Sequence, residues 1–233
     1  MKICVIGIPG IALGKHNLKD PRLDQADKLV EAKKKTYAQV DVLEDDALVE
    51  ADGIVTTRDG ILELIFRDLD FLEGRLERAT SDTEKAALLK LKAQLEADQT
   101  VFTASLTPEE RQALAIHTFA SNKPVVVATP EEVAAPDPLL VRVFKESSHI
   151  CFLTVGGKEN RAWPVRAGTT AVEAAGSIHT DMQKGFIRAE IISFEDLIAA
   201  GGETEAKRAG KQRLETKTYV VQDYDTVNFR FNK

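Results

Sequence analysis

The hydrophobic rhythm of the chain changes along its length, and each rhythm predicts a different kind of element. Short, β-branched apolar runs at residues 3–6, 38–43, 53–57 and 124–128 are what strands look like in a parallel sheet covered on both faces. The first run closes on Gly7-Ile8-Pro9-Gly10, a turn signal. Residues 21–35 carry Leu23, Ala26, Leu29 and Val30 at helical spacing and end in Lys33-Lys34-Lys35, which predicts one helix over the stretch. From Gly60 the steps alternate between three and four: Leu62, Ile65, Leu69, Leu72, Leu76, then Leu88, Leu91 and Leu95 after Thr80-Ser81-Asp82. That spacing predicts an antiparallel helical hairpin, its second arm capped by Ser81 or Asp82. Thr107-Pro108-Glu109-Glu110 starts another helix, whereas Pro130, Pro136 and Pro138 are expected to carry the chain out of regular structure.

Beyond His149 the pattern shortens. Apolar runs at 150–155 and 162–165 flank Gly156-Gly157-Lys158-Glu159, a hairpin signal. A small-residue helix at 170–178, a strand at 187–193, a helix opened by Ser193, and two last strands at 219–221 and 226–231 follow. Strands and helices mixed at this density predict a small α+β unit of β-grasp type.

Composition narrows the function classes. With 43% hydrophobic residues in 233, the chain is globular, and a net charge of −6 excludes a strongly basic nucleic-acid binder, so any such contact must be a local patch. Cys4 and Cys151 lie inside apolar runs, which argues against a disulfide framework or a zinc site and for a reducing, cytoplasmic compartment. The apolar run at the N-terminus is too short for a signal-peptide core, and no segment approaches a membrane span.

The stretch Thr154-Val155-Gly156-Gly157-Lys158-Glu159-Asn160-Arg161-Ala162-Trp163, the stretch Ala174-Ala175-Gly176-Ser177-Ile178-His179-Thr180-Asp181-Met182-Gln183-Lys184-Gly185-Phe186-Ile187-Arg188-Ala189, and the closing Tyr219-Val220-Val221-Gln222-Asp223 with Asn228-Phe229-Arg230-Phe231-Asn232 closely resemble the TGS-like C-terminal domain of the YchF family of Obg-related P-loop nucleotidases. Asp20-Pro21-Arg22-Leu23-Asp24 and Lys33-Lys34 look like the segment before that family's second switch, and residues 62–76 resemble the start of its helical arm. The resemblance implies an α/β protein: a degenerate P-loop GTPase-like domain (1–60 and 115–148), a helical-hairpin arm (61–114) and a TGS-like β-grasp domain (149–233).

The nucleotide chemistry departs from that family. A P-loop needs a glycine turn of fixed length, a Lys on the phosphates and a Ser/Thr on magnesium. In Gly7-Ile8-Pro9-Gly10-Ile11-Ala12-Leu13-Gly14-Lys15-His16, counting to Gly14 gives two residues too many from Gly7 and one too few from Gly10, and His16 replaces the hydroxyl. A strand-to-helix turn that keeps its glycines for backbone reasons is the alternative to a cradle. Glu44 stands at the second-switch aspartate and Ala47 at its glycine, the first switch is missing, and Ala128-Thr129-Pro130-Glu131-Glu132 replaces the base-recognition motif, with Thr129 or Glu132 as partial substitutes. Gly7, Gly10, Gly14, Lys15 and Glu44 are therefore the nucleotide-binding candidates, and no catalytic residue, metal ligand or cofactor is assigned. His16, His117, His149 and His179 read as surface or capping residues, and Ser147-Ser148-His149 as neighbours on opposite faces of an extended chain.

The C-terminal domain offers partner-binding candidates instead. His179, Asp181, Lys184 and Arg188 surround the Gly185-Phe186 turn, and Lys207, Lys211 and Arg208 would share one helix face. A solvated charged face is the competing reading. The resemblance implies a ribosomal, RNA-containing or protein partner and a pseudo-GTPase adaptor that does not hydrolyse nucleotide. The alternative is an active NTPase using GTP or ATP with magnesium in a remodelled loop. A ubiquitin-like sulfur carrier would be expected to end in Gly-Gly, and this sequence ends Phe231-Asn232-Lys233.

Overall fold

The computed structural model describes residues 1–232. Strand β1 (Lys2–Ile6) leads through the glycine turn to β2 (Gly14–Asn17), and Asp20 then caps helix α1 (Pro21–Leu29), accepting from the Arg22 N–H. The helix stops at Leu29, short of the expected 35. Val30 turns extended and its carbonyl accepts from Asn160 Nδ2 at 2.7 Å, while Lys35–Thr36 form the short β3. Strand β4 (Gln39–Leu43) is followed by a 3₁₀ turn, Asp45–Glu50, and then by β5 (Gly53–Thr56).

Thr57 caps α2 (Arg58–Leu76) and Ser81 caps α3 (Asp82–Glu96); Thr107 and Glu110 form a capping box on α4 (Pro108–Leu114). After β6 (Val125–Val127), α5 (Pro130–Val133) and α6 (Pro136–Glu146) replace the irregular segment expected from the prolines. Proline in the first turn loses no helical hydrogen bond, and Leu139, Leu140, Val143 and Phe144 are all buried.

The C-terminal elements are β7 (His149–Thr154), β8 (Asn160–Arg166), α7 (Ala171–Ile178), α8 (Thr180–Lys184), β9 (Phe186–Ile192), α9 (Phe194–Ala200), α10 (Glu203–Arg208), β10 (Arg213–Glu215) and β11 (Thr226–Phe231). The strand expected at 219–221 is instead a single bridge from Val220 to Thr170.

By contacts the chain divides into two units, Met1–Lys15 with Asp41–Leu139, and His16–Val40 with Leu140–Lys233. The first is built on β1, paired in parallel with β4 and β5, and on β6, parallel to β5. On α2, Leu64 packs under that sheet with Cys4, Ile6 and Ile54. Ile65 and Leu72, with Leu69 and Leu76 at their margin, close against Leu88, Leu91 and Leu95 of α3. Sequence spacing identifies this second stripe but passes over Leu64. His117, expected at the surface, is buried against Glu84, with Nε2 to Oε1 at 2.9 Å.

The second unit is a six-stranded sheet in the order β10-β9-β11-β7-β8-β3. Its core sets Phe152, Val165, Ile191, Val227 and Phe229 against Ala171, Ala174 and Ala175 of α7. Segment 16–40 belongs to this unit: β3 pairs with β8, and the fully buried Asn160 also donates to Asp27 while accepting from the Gly156 N–H.

Candidate functional site

Two regions hold the residues singled out from the sequence. In the first unit, Gly7, Gly10 and Gly14 take φ of +67°, +90° and +94°, a region that residues with a Cβ avoid. Ile8 and Ile11 between them are buried, so the turn is anchored by apolar side chains. A phosphate cradle requires such a turn to feed a helix whose first N–H groups converge on the anion. Here the expected strand-to-helix turn is a strand-to-strand turn. Gly14 opens β2, and Lys15 is exposed on it with His16 following. Amides on a strand point sideways along the sheet and do not converge.

The remaining nucleotide positions are occupied by local structure. Glu44 is exposed, and its carbonyl accepts from the Ala47 N–H at 3.1 Å, closing the 3₁₀ turn. The amide that would meet a terminal phosphate is thus spent inside the backbone. Asp45 is taken up by Arg67 at 2.9 and 2.6 Å. Thr129 and Glu132, the substitutes for base recognition, cap α5 reciprocally: Glu132 accepts from the Thr129 N–H at 2.9 Å, and Thr129 Oγ1 accepts from the Glu132 N–H at 3.3 Å. Among the described residues, no three His, Cys, Asp or Glu side chains gather as a metal site.

In the second unit, an open depression of about 590 Å³ is lined by Asp181, Lys184, Gly185, Phe186, Ile187 and Asn232. Gly185 is required there: a Cβ would stand 2.0 Å from the Asn232 carbonyl oxygen, and the Asn232 N–H donates to the Gly185 carbonyl. His179 caps α8, its Nδ1 accepting from the Asp181 N–H at 3.1 Å. Arg188 follows on β9, exposed, donating among the described residues to the Ile187 carbonyl beside it.

The other basic cluster is not the shared helix face expected. Helix α10 ends at Arg208, and Gly210 at φ +70° turns the chain before Lys211. Lys207 is held by Glu203 at 2.6 Å and Lys211 by Asp196 at 3.1 Å, and Lys211 and Ser193 together draw the Asp196 carboxyl below its ordinary pKa. Paired in this way, the two lysines project little net charge.

Sequence reasoning did not single out Glu190 and Arg230. Glu190 is nearly buried on β9, accepts from Asn228 Nδ2 at 2.7 Å, and is paired with Arg230. Burial pushes the Glu190 carboxyl up, but Asn228 and Arg230 outweigh it and hold its pKa below the ordinary value. The signal was available: alternation at Asn228, Phe229, Arg230 places both polar residues on one strand face. Ser147 and His149 show no nucleophile–base arrangement, since His149 Nδ1 donates to the Ser147 carbonyl at 2.8 Å.

Residues 149–232 match the YchF-GTPase C-terminal family, described as a protein of unknown function (DUF933). The chain is 49% identical over 106 residues to the ribosome-binding ATPase YchF of Haemophilus influenzae, covering 44% of this chain and 29% of that protein. It is 56% identical over 81 residues to the ribosome-binding ATPase YchF of Bacillus subtilis, covering 35% and 22%, and 45% identical over 102 residues to Obg-like ATPase 1 of Oryza sativa, covering 43% and 26%. The chain thus spans less than a third of the length of these relatives. Among solved structures, the Schizosaccharomyces pombe YchF GTPase has the same fold, with a TM-score of 0.76 at 19% identity over 99% of this chain and 97% of that one.

Proposed function

Residues 149–232 are a YchF-type C-terminal domain within a chain of YchF fold, and from that premise we propose a ribosome adaptor that works without hydrolysing nucleotide. The observation that carries the proposal is strand β2: Gly14–Asn17 is extended where a cradle needs a helix N-terminus. A ribosomal partner is supported by the similar proteins called ribosome-binding and by the YchF-type C-terminal domain at residues 149–232. That domain, TGS-like in its motifs, is the part that engages the ribosome, and the role belongs in the cytoplasm.

The expected result is ATP and GTP turnover at background level, with and without magnesium, in both the parent and Lys15→Ala. Those relatives are also called ATPases, so the contrary outcome has definite content. Magnesium-dependent turnover in the parent that disappears in Lys15→Ala would make Lys15 a phosphate ligand in a remodelled loop and overturn the adaptor reading.

A further inference from the structure

The ribosome reading leaves open which chemistry the C-terminal domain recognises, and the β9–β11 pair narrows it. These strands are antiparallel, with Asn228 opposite Glu190 and Arg230 opposite Arg188. Ala189, Ile191, Val227 and Phe229 point into the core under α7, so the alternate positions Arg188, Glu190, Asn228 and Arg230 share the other face. Two arginines directly opposite each other repel, and such pairs disfavour the sheet. The carboxylate of Glu190 accompanies them, and it is nearly buried: its side chain is 10% exposed, against 57% for Arg230.

Glu190 therefore orients Arg230 from below while the outer side of the guanidinium remains in water. Arg188 has no acid partner among the described residues. Ile187, next to Arg188, and Asn232, two residues past Arg230, line the depression shared with Lys184.

The geometry points to Arg188 and Arg230 as a paired phosphate clamp for RNA, resting on the ribosome reading above. Each guanidinium presents a planar fork that matches two phosphate oxygens, and an anion placed between them relieves the repulsion that the free protein bears. This assignment replaces Lys207 and Lys211, each of which has its own carboxylate in Glu203 and Asp196, with two guanidiniums that have Glu190 between them. It also answers the acidic net charge of the chain, because the clamp is a local concentration of cations on one strand pair.

The test measures binding of the whole chain to purified ribosomes and to a short fluorescein-labelled single-stranded RNA across a salt series. Arg188→Ala/Arg230→Ala is compared with Lys207→Ala/Lys211→Ala, which loses the same formal charge. The arginine variant is expected to weaken both interactions about tenfold or more and to flatten the salt slope by about 1.4, the value for two phosphate contacts on a single strand. The lysine variant is expected to bind within about twofold of the parent. Arg188→Ala alone removes a like-charge opposition and no carboxylate partner, so it keeps the fold and should carry part of the loss even where the double variant is unstable. Equal losses in the two double variants, or none in either, would overturn the clamp. A parent that binds ribosomes but not RNA would overturn it too, leaving the ribosome reading intact in favour of a protein contact. A parent that binds neither would overturn both.

Discussion

Arg22→Ala is expected to remove about 3 kcal/mol from the second unit, the cost of taking from the buried Asp20 and the half-buried Asp223 the guanidinium they share, with Lys145, 3.4 Å from Asp20, left as the weaker partner. Arg22 meets Asp20 through Nε and an Nη at 3.1 and 2.7 Å, reaches Asp223 at 2.8 Å, and lies 3.7 Å from the centre of the Tyr224 ring. Asp223 uses its other oxygen to accept from the Cys151 N–H at 3.1 Å. One guanidinium thus joins segment 16–40 to β7 and to the turn before β11. Burial pushes the Asp20 carboxyl up, but the hydrogen bonds from Arg22 outweigh it and hold its pKa below the ordinary value. This stabilisation is therefore complete above the ordinary carboxylate range and is lost as pH falls through the lowered value. Trp163, the single tryptophan of the chain, stands on β8 of the same unit, so urea unfolding followed by its fluorescence reads the effect. Arg22→Lys should recover little, because a point charge cannot serve two carboxylates and a ring face. A change below about 0.5 kcal/mol in Arg22→Ala would remove this network from the account of the fold.

Asp68→Ala should cost the first unit about 3 kcal/mol. Asp68 is 2% exposed on α2 and accepts from the Ala120 N–H at 2.6 Å, the Ser121 N–H at 2.8 Å and Ser121 Oγ at 2.6 Å. Burial raises its pKa even against these donors. Removing the carboxylate strands donors in the interior, and an unmade buried bond costs more than a made one contributes. Asp68→Asn should lose about 2 kcal/mol, since its NH₂ would face a backbone donor. Urea unfolding followed by helical circular dichroism, with hydrogen exchange across α2 and α3, reads both variants. Exchange rates and midpoints equal to the parent would show that these bonds do not hold loop 115–122 to the arm.

What the sequence made legible was local. Ser81, Thr107 and Ser193 each accept from the amide three residues on, so the signal and the structure occupy the same turn. The hairpin at Gly156–Gly157 and the leucine stripe of α2 and α3 were legible for the same reason. Errors arose where a distant partner decides. Helix α1 ends at Leu29 because Asn160, 130 positions away, takes the Val30 carbonyl. Pro136 can close or open a helix, and the buried Leu139, Leu140, Val143 and Phe144 select the second. Among the candidate residues, the altered spacing around Gly14 and Lys15 announced a changed loop, but nothing local in Gly14-Lys15-His16-Asn17 announced a strand. The lysines at 207 and 211 drew attention because charge is visible in a sequence and neutralisation is not. Glu190 and Arg230 passed unnoticed because their opposition exists only once β9 and β11 are in register.

Sedimentation of the whole chain with purified ribosomes, in the absence of nucleotide and with magnesium plus ATP or GTP, tests nucleotide-independent ribosome binding most directly. The bound fraction is expected to be the same in all three conditions, because Ala47, Thr129 and Glu132 are engaged in local structure and β2 offers no phosphate cradle. Binding that appears or disappears by about tenfold with ATP or GTP, a coupling of about 1.4 kcal/mol, would contradict it.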